Sequence, residues 1–321
     1  MTHLALTGIS APKTEPSPGV TEEARPEPAP PTPLPPAKRL VVVTGASTGI
    51  GYATTQALVE RGYPVAATVR NAEDGARLRA ELGEAVHPLL LDVSDDEAVV
   101  RAAGEIEQLA EARGLAGLVN NAGVAVAGPL MHVDLEVLRY QFDVNVVGVV
   151  AMTQALLPLL RGDAAAMRPP GRVINMGSVS GYMTYPFLAP YAASKHALES
   201  ITEGMRRELM IYDIAVVSMV LGAVKTPIWT KAVAEDLTRY ATTDYAAGVK
   251  LMHKTTEEIA ETAMPAARIA RAVLVALEHP KPKTRYVLVN NYWGGWLLPR
   301  LFPRRWFDWA LARQFDLTPK P

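Results

Sequence analysis

The sequence predicts an α/β fold: one doubly wound parallel sheet with helices on both faces. Three observations carry that expectation. Short β-branched runs recur along the chain, separated by longer stretches of helical periodicity. The first run, Leu40-Val41-Val42-Val43, is apolar without alternation, as in a strand buried on both faces. It passes directly into Thr44-Gly45-Ala46-Ser47-Thr48-Gly49-Ile50-Gly51 and then a helix, the strand–turn–helix context of a dinucleotide fingerprint.

Composition bounds the remaining options. Of 321 residues, 49% are hydrophobic, enough for a substantial core, and the formal net charge of -1 points to no nucleic-acid partner. The absence of cysteine excludes disulfides, thiol catalysis and cysteine metal sites, and the six histidines show no ligand-like spacing. No metal site is therefore expected. Residues 1–37, rich in Pro, Glu, Thr and Ala, form an extension expected to be disordered. No basic segment followed by an apolar core opens the sequence, so a secretory signal is not expected. The longest apolar run, Val144–Leu160, is interrupted by Asn145, Thr153 and Gln154, and reads as a buried or interface helix.

Taken in order, the elements place the chemistry. In the glycine-rich turn, Gly45 permits the bend. Gly49 lets backbone approach a pyrophosphate, and Gly51 allows the helix to pack close. The helix that follows, to about Arg61, turns free N–H groups and a positive dipole end toward phosphates. A second strand, Pro64–Val69, ends where an acid would hold the ribose 2'-hydroxyl of NAD; Val69 occupies that place and Arg70 follows. A guanidinium suits a 2'-phosphate, so NADP(H) is expected over NAD(H), which stays possible; the alternative for Arg70 is an ordinary surface arginine. A helix, Ala72–Leu82, leads to a third strand, Val86–Leu91, ending at Asp92-Val93. Asp92 could accept from an adenine amino group, or serve in capping the next helix, which runs to about Arg113.

A fourth strand, Gly117–Val119, ends in Asn120-Asn121-Ala122-Gly123, small residues over which a nucleotide can lie. The long helix from about Asp134 to Leu160 carries Asn145 within an apolar face. That side chain either bonds neighbouring backbone or takes part in a proton relay. A fifth strand, Arg172–Met176, leads to Ser178 at the sheet's C-terminal edge, where open α/β sheets bind ligands. Tyr191 and Lys195 lie four apart on the next helix, which runs to about Tyr212, and so share a face. A phenol titrates near 10. An ammonium about 4 Å away, at an effective dielectric of about 20, favours the phenolate by roughly 4 kcal/mol. Desolvation opposes this. His196 is expected on the helix surface. A sixth strand, Ile214–Val220, precedes Gly222-Ala-Val224-Lys-Thr226-Pro-Ile-Trp229 and a polar, weakly periodic stretch to Thr262, expected to form a lid over residues 223–262. A helix, Pro265–His279, and a strand, Arg285–Val289, complete the domain over residues 38–290.

In Thr44-Gly-Xaa3-Gly-Ile-Gly51, Asp92, Asn120-Asn-Ala-Gly123, Asn145, Ser178 and Tyr191-Xaa3-Lys195, in that order, the chain resembles the classical short-chain dehydrogenase/reductase family. The resemblance implies a Rossmann-like sheet of about seven strands in the order 3-2-1-4-5-6-7. It implies hydride transfer between a nicotinamide and a carbonyl or alcohol carbon. Tyr191 would be the general acid or base, Lys195 would lower its pKa and hold the nicotinamide ribose, Ser178 would orient the substrate oxygen, and Asn145 would hold a relay water. The expected cofactor residues are Thr44, Gly45, Ser47, Thr48, Gly49, Ile50 and Gly51 in the turn, with Arg70, Asp92 and Val93. They continue with Asn121, Ala122 and Gly123, then Tyr191, Lys195, Gly222, Val224 and Thr226. Substrate contacts are expected from Ser178, Tyr191, Val124 and Tyr185. The stretches Ala67–Asn71, Gly222–Trp229 and Lys281–Tyr286, and the tail Leu298–Trp306, look closer to the retinol and hydroxysteroid dehydrogenase-like branch, which implies a hydrophobic alcohol or carbonyl substrate. Two departures from the family pattern are Leu221-Gly222 in place of Pro-Gly, and Asn290-Asn291 where glycine is usual.

Residues 291–321 form a tail with four of the five tryptophans and Arg300, Arg304, Arg305 and Arg313 interleaved. That composition suits a helix packed on its own subunit or a neighbour, a hydrophobic lid, or a membrane interface. A cytoplasmic homodimer or homotetramer, with peripheral membrane contact as an option, is the corresponding expectation. Two other functions use the same fold: an NADP-binding sensor or scaffold, and an epimerase or dehydratase. The first needs no Tyr/Lys/Ser/Asn set. The second needs a larger C-terminal domain for a sugar nucleotide.

Overall fold

The computed structural model describes residues 38–227 and 238–319. The Pro-rich extension, residues 1–37, and residues 228–237 of the expected lid lie outside the described residues. Seven parallel strands form one sheet in the order β3-β2-β1-β4-β5-β6-β7. They are β1 (Leu40–Val43), β2 (Val65–Val69), β3 (Val86–Leu90), β4 (Leu115–Asn120), β5 (Arg172–Ser178), β6 (Ala215–Leu221) and β7 (Arg285–Leu288). The strand order reverses between β1 and β4, and the loops leaving their C-terminal ends form the crevice where such sheets bind ligands.

Period-two alternation sorts each strand between two cores. Val41 and Val43 join Val65, Ala67, Ile174 and Met219 on one face. There they meet α1 (Gly49–Glu60), α2 (Ala72–Leu82) and α8 (Ala266–Glu278). Leu40 and Val42 join Leu118, Val173 and Val216 on the other. That face is covered by α3 (Asp96–Ala110), α5 (Gly148–Leu160) and the end of α6 (Ala189–Glu208). Each Val or Leu buried this way contributes about 1.5–3 kcal/mol. The unbroken apolar runs are thus two half-patterns, each serving one face.

The long apolar helix is in fact two helices. The first, α4 (Leu135–Phe142), is capped by Asp134, which accepts from the Glu136 N–H at 2.9 Å. One π turn, Asp143–Val147, joins it to α5. The whole 135–160 stretch is long and apolar enough to cross a membrane by length and composition. Met152, Leu156 and Leu160 are nevertheless fully buried against α3 and the sheet. Pro265 is the N-cap of α8, one place before the first turn where the sequence puts it. The two departures after the sixth and seventh strands are accommodated. Leu221 continues the β6 ladder opposite Ser178 and Leu288. Asn291 accepts from the Gly294 N–H at 2.8 Å and opens the tail's first turn.

One buried carboxylate fastens the outer helices. Glu278, at the end of α8, receives a bidentate bond from Arg61 Nε and Nη2, both at 3.0 Å, and another from the Tyr63 hydroxyl at 3.2 Å. Its side chain is 3% exposed, and Lys38 lies 3.6 Å away. Breaking a buried pair leaves the other charge uncompensated, so Glu278→Ala is expected to cost about 3–5 kcal/mol. Denaturant unfolding of the full chain reads this directly; a loss below about 1 kcal/mol would contradict the buried-pair assignment.

Candidate active site

The glycine-rich turn is built by contacts that leave no room for side chains. Gly45 and Gly49 adopt φ of +64° and +60°, the left-handed region that suits glycine. A Cβ on Gly51 would lie 2.2 Å from the Gly45 carbonyl oxygen, so α1 packs on the turn only through a glycine. Asn121 clips the turn to the end of β4. Its Nδ2 donates to the Thr44 and Gly45 carbonyls, both at 2.9 Å. The Thr44 hydroxyl in return accepts from the Asn121 and Ala122 N–H groups, both at 2.9 Å. Thr68 and Arg77 complete the support: Gly45 N–H donates to Thr68 Oγ1 at 3.2 Å, and Arg77 donates to the Ser47 carbonyl at 2.6 Å. No side chain caps the first turn of α1, so its amides stay available to an anion.

Above this turn lies a cleft of about 580 Å³. Gly45, Ser47, Thr48, Gly49 and Ile50 line it from the turn, and Arg70, Asp92 and Val93 from the segments that follow β2 and β3. Asn121, Ala122, Gly123, Val124 and Thr226 line it from the segments that follow β4 and β6. The cradle of glycines, free helix amides and an arginine fits a dinucleotide with an added phosphate. Asp92 does not cap α3; Asp95 does, accepting from Ala98 N–H at 3.0 Å. Asp92 instead accepts from the Ser94 N–H and hydroxyl, at 3.0 and 2.6 Å.

A smaller pocket of about 130 Å³ shares Ile50, Asn121, Gly123, Val124 and Thr226 with that cleft. Ser178, Tyr191, Lys195, Gly222 and Val224 line the rest of it. Ser178 ends β5, 7% exposed, and its hydroxyl accepts from Ser180 N–H at 3.1 Å. Burial pushes the Tyr191 phenol above its ordinary value, and the Ser178 hydroxyl nearby works the other way. Lys195 is 7% exposed and donates to the Met176 carbonyl at 2.8 Å. Its Nζ stands 5.8 Å from the Tyr191 ring centre. The direction is therefore opposite to the expected lowering of Tyr191: burial dominates, the ammonium's hydrogen bond goes to β5, and only its charge, 5.8 Å from the ring centre, reaches the phenol.

Asn145 stands behind the pocket in the π turn. Both its amide hydrogens are used, on the Val124 carbonyl at 2.9 Å and the Ser194 hydroxyl at 3.0 Å, while its oxygen accepts from Val124 N–H at 2.9 Å. Of the two readings of Asn145, backbone bonding is the one these contacts display. One turn earlier, the fully buried Gln141 accepts from Val126 N–H at 2.5 Å. The two amides staple the segment between Gly123 and Val126 that walls the cleft. The expected substrate contact Tyr185 is not in either pocket: it turns to the tail, edge-on to Phe307 at 6.1 Å, drawn by an aromatic cluster. His196 lies on the exposed side of α6, its Nδ1 2.8 Å from the Ala192 carbonyl. Among the described residues no group of three or more His, Asp or Glu converges as a metal set would.

Sequence reasoning missed Gln141, Glu199 and Tyr182. Position was the available signal for the first two: Gln141 is four before Asn145, and Glu199 four after Lys195. Glu199 sits between Gly177 and Gly181, where a Cβ would come within 2.1 Å of its Oε1 and 3.0 Å of its Cγ respectively. It accepts from the Tyr182 hydroxyl at 2.8 Å and the Ser218 hydroxyl at 2.7 Å. Burial pushes Lys195 down to about 8, and the Glu199 carboxylate resists that fall. Removing a negative charge disfavours the charged amine, so Glu199→Gln is expected to move the Lys195 midpoint below about 8. NMR titration of the lysine ammonium checks it; an unmoved or raised midpoint would show that Glu199 does not sustain the charge.

Comparisons with known proteins agree with this geometry. The family described as short chain dehydrogenase matches residues 39–237. An NADPH-dependent 3-dehydrocapnine reductase of Ornithobacterium rhinotracheale is 41% identical over 250 residues, covering 78% of this chain and 88% of that protein. An NADPH-dependent 1-acyldihydroxyacetone phosphate reductase of Saccharomyces cerevisiae is 32% identical over 195 residues, 60% of this chain and 64% of that one. Among solved structures, a short-chain dehydrogenase from Streptomyces avermitilis superposes with a TM-score of 0.67 at 25% identity, covering 87% of this chain and 96% of that one. With its strand order, glycine-rich turn and matched sequence, the chain belongs to the short-chain dehydrogenase/reductase family of oxidoreductases.

Proposed function

We propose that the chain is an NADP(H)-dependent oxidoreductase interconverting a hydrophobic alcohol, secondary or primary, and its ketone or aldehyde, with Tyr191 as general acid and base. The observation that carries this reading is the meeting of Ser178, Tyr191 and Lys195 in a pocket continuous with the glycine-cradled cleft. NADP(H), when bound, supplies or accepts the hydride. The turn from Gly45 to Gly51 would hold its pyrophosphate through backbone N–H groups, and Arg70, which lines the same cleft, would pair with the 2'-phosphate.

The chain's own residues manage the proton. Burial keeps Tyr191 protonated near neutral pH, the state that donates to a carbonyl oxygen during reduction. Ser178, beside the phenol, holds the substrate oxygen. The Lys195 charge stabilises the phenolate left behind, and in oxidation the same phenolate takes the alcohol proton back. Asn145 and Gln141 fix the wall on which the substrate lies. Val124, Leu221 and Val224 make that pocket apolar, which supports a hydrophobic substrate. The two NADPH-dependent relatives are named as reductases, one of an acylated dihydroxyacetone phosphate, and this supports both the coenzyme and the reductive direction. We also place the protein in the cytoplasm as a homodimer or homotetramer. The exposed Leu135, Val147, Met210 and Ile211 support subunit contact.

Tyr191→Phe is expected to lower turnover of hydrophobic ketones by about 10²–10⁴-fold while coenzyme binding persists. NADPH fluorescence measures both. Turnover equal to wild type would remove the proton-transfer role and favour a coenzyme-binding scaffold. Arg70→Ala is expected to raise the KM for NADPH by roughly tenfold or more and leave that for NADH unchanged. A wild-type preference for NADH in steady-state assays would sink the coenzyme assignment.

A further inference from the structure

The tail is the part of the molecule that the chemistry above does not use. Its last helix, α10 (Arg304–Gln314), follows a π turn at Trp293–Leu297 and a short helix, α9 (Leu298–Leu301). One face of α10 is buried. Phe307 and Leu311, with Phe315 just beyond the helix, pack on Tyr185, Phe187, Tyr240 and Val249. The opposite face is bare. Trp306 and Trp309 are 69% and 58% exposed, and Trp293, Leu301 and Phe302 are 64%, 68% and 51% exposed beside them. Scattered exposed apolar residues are ordinary, but six large ones within seventeen positions, Leu298 included, mark a surface with a role.

Charge identifies the occupant. Residues 292–313 contain four arginines and one acid, in a chain whose net charge is -1. Among the described residues none of Arg300, Arg304, Arg305 and Arg313 forms an ion pair. Arg304 and Arg305 stand in the first turn of α10, where the helix dipole is positive, no acid is present and no side chain caps. Their placement costs stability in isolation and becomes favourable against a negative surface. Arg313 lies over the Trp309 ring at 3.9 Å, so cations and indoles share one face rather than separating into core and rim.

We infer that the outer face of the tail docks peripherally on an anionic lipid bilayer, with Trp293, Phe302, Trp306 and Trp309 in the interface and the arginines on the headgroups. The inner face of the same helix packs on the wall of aromatic residues that follows β5, just beyond Ser178. A bound bilayer therefore lies next to the element bordering the pocket. The inference rests on the reading of the substrate as hydrophobic, since it gives such a molecule a source.

The test uses the full chain with NADP(H) bound and co-sedimentation with vesicles of phosphatidylcholine, with and without phosphatidylglycerol. Binding to the anionic vesicles is expected, at least about tenfold weaker on neutral ones and in high salt. Trp306→Ser/Trp309→Ser is expected to lose binding by roughly tenfold or more, and Arg304→Gln/Arg305→Gln by about the same. Both variants should turn over a water-soluble ketone as wild type does, which separates failure of docking from failure of the proposed chemistry. Absent or charge-independent sedimentation, or binding by either variant equal to that of wild type, would overturn the inference. A wild-type dimer that becomes monomeric in the tryptophan variant would assign the face to a second copy of the chain instead.

Discussion

Much of the architecture follows from one constraint: a lysine ammonium is held inside the protein. Burying an amine favours its neutral form, and Lys195 keeps a useful charge only through fixed dipoles and a nearby carboxylate. The Met176 carbonyl comes from β5, and Glu199 comes from one turn further along α6. Glu199 in turn needs Tyr182, Ser218 and two glycines to sit where it does. A single buried charge thus ties α6 to β5, to β6 and to the loop between Ser178 and Tyr182. The docking of α6 on the sheet has little freedom, and Tyr191, on the same helix, inherits that precision.

The nucleotide half is organised differently. There, side-chain-to-backbone bonds set the turn, and the Glu278–Arg61 pair fastens the far end of α1. Asn121 and Thr44 exchange bonds across the gap between β1 and β4, where the sheet's winding reverses. Gly123, just beyond, is the meeting point of the two halves. A Cβ there would be 3.2 Å from Asn145 Oδ1 and 3.9 Å from Lys195 Nζ. Coenzyme cleft and proton-transfer pocket therefore share a boundary of Ile50, Asn121, Gly123, Val124 and Thr226, and neither can shift without the other.

The strands and their order were legible because their residues obey strong local rules. The run Leu40–Val43 reads as a strand buried on both faces, and the glycines after it read as a turn into a helix, as the structure has them. The site residues announced by spacing, Ser178, Tyr191 and Lys195, do come together. What was not legible depends on contacts between distant segments. The direction of the Tyr191 shift turns on how deeply the phenol is buried and on where the Lys195 ammonium points. Spacing of four fixes a shared face and leaves the side chain's end undetermined. Tyr185 reads as a pocket residue by position, yet Phe307, more than a hundred residues later, draws it elsewhere. Glu199 looks like any exposed helix acid until Gly177 and Gly181 are seen to make room for it.

The docking of the tail on the loop after β5 bears on how the molecule is made. Tyr182 bonds Glu199 and also stacks edge-on against the buried Trp296 at 4.9 Å, with Arg300 over both rings. The residues that steady this corner of the site are synthesised after every strand of the sheet. Domains generally fold as units. A chain ending before Trp296 would carry every strand of the sheet yet lack the ring that packs on Tyr182 and the guanidinium that lies over it, so the corner beside Ser178 stays unfinished until the tail has been made.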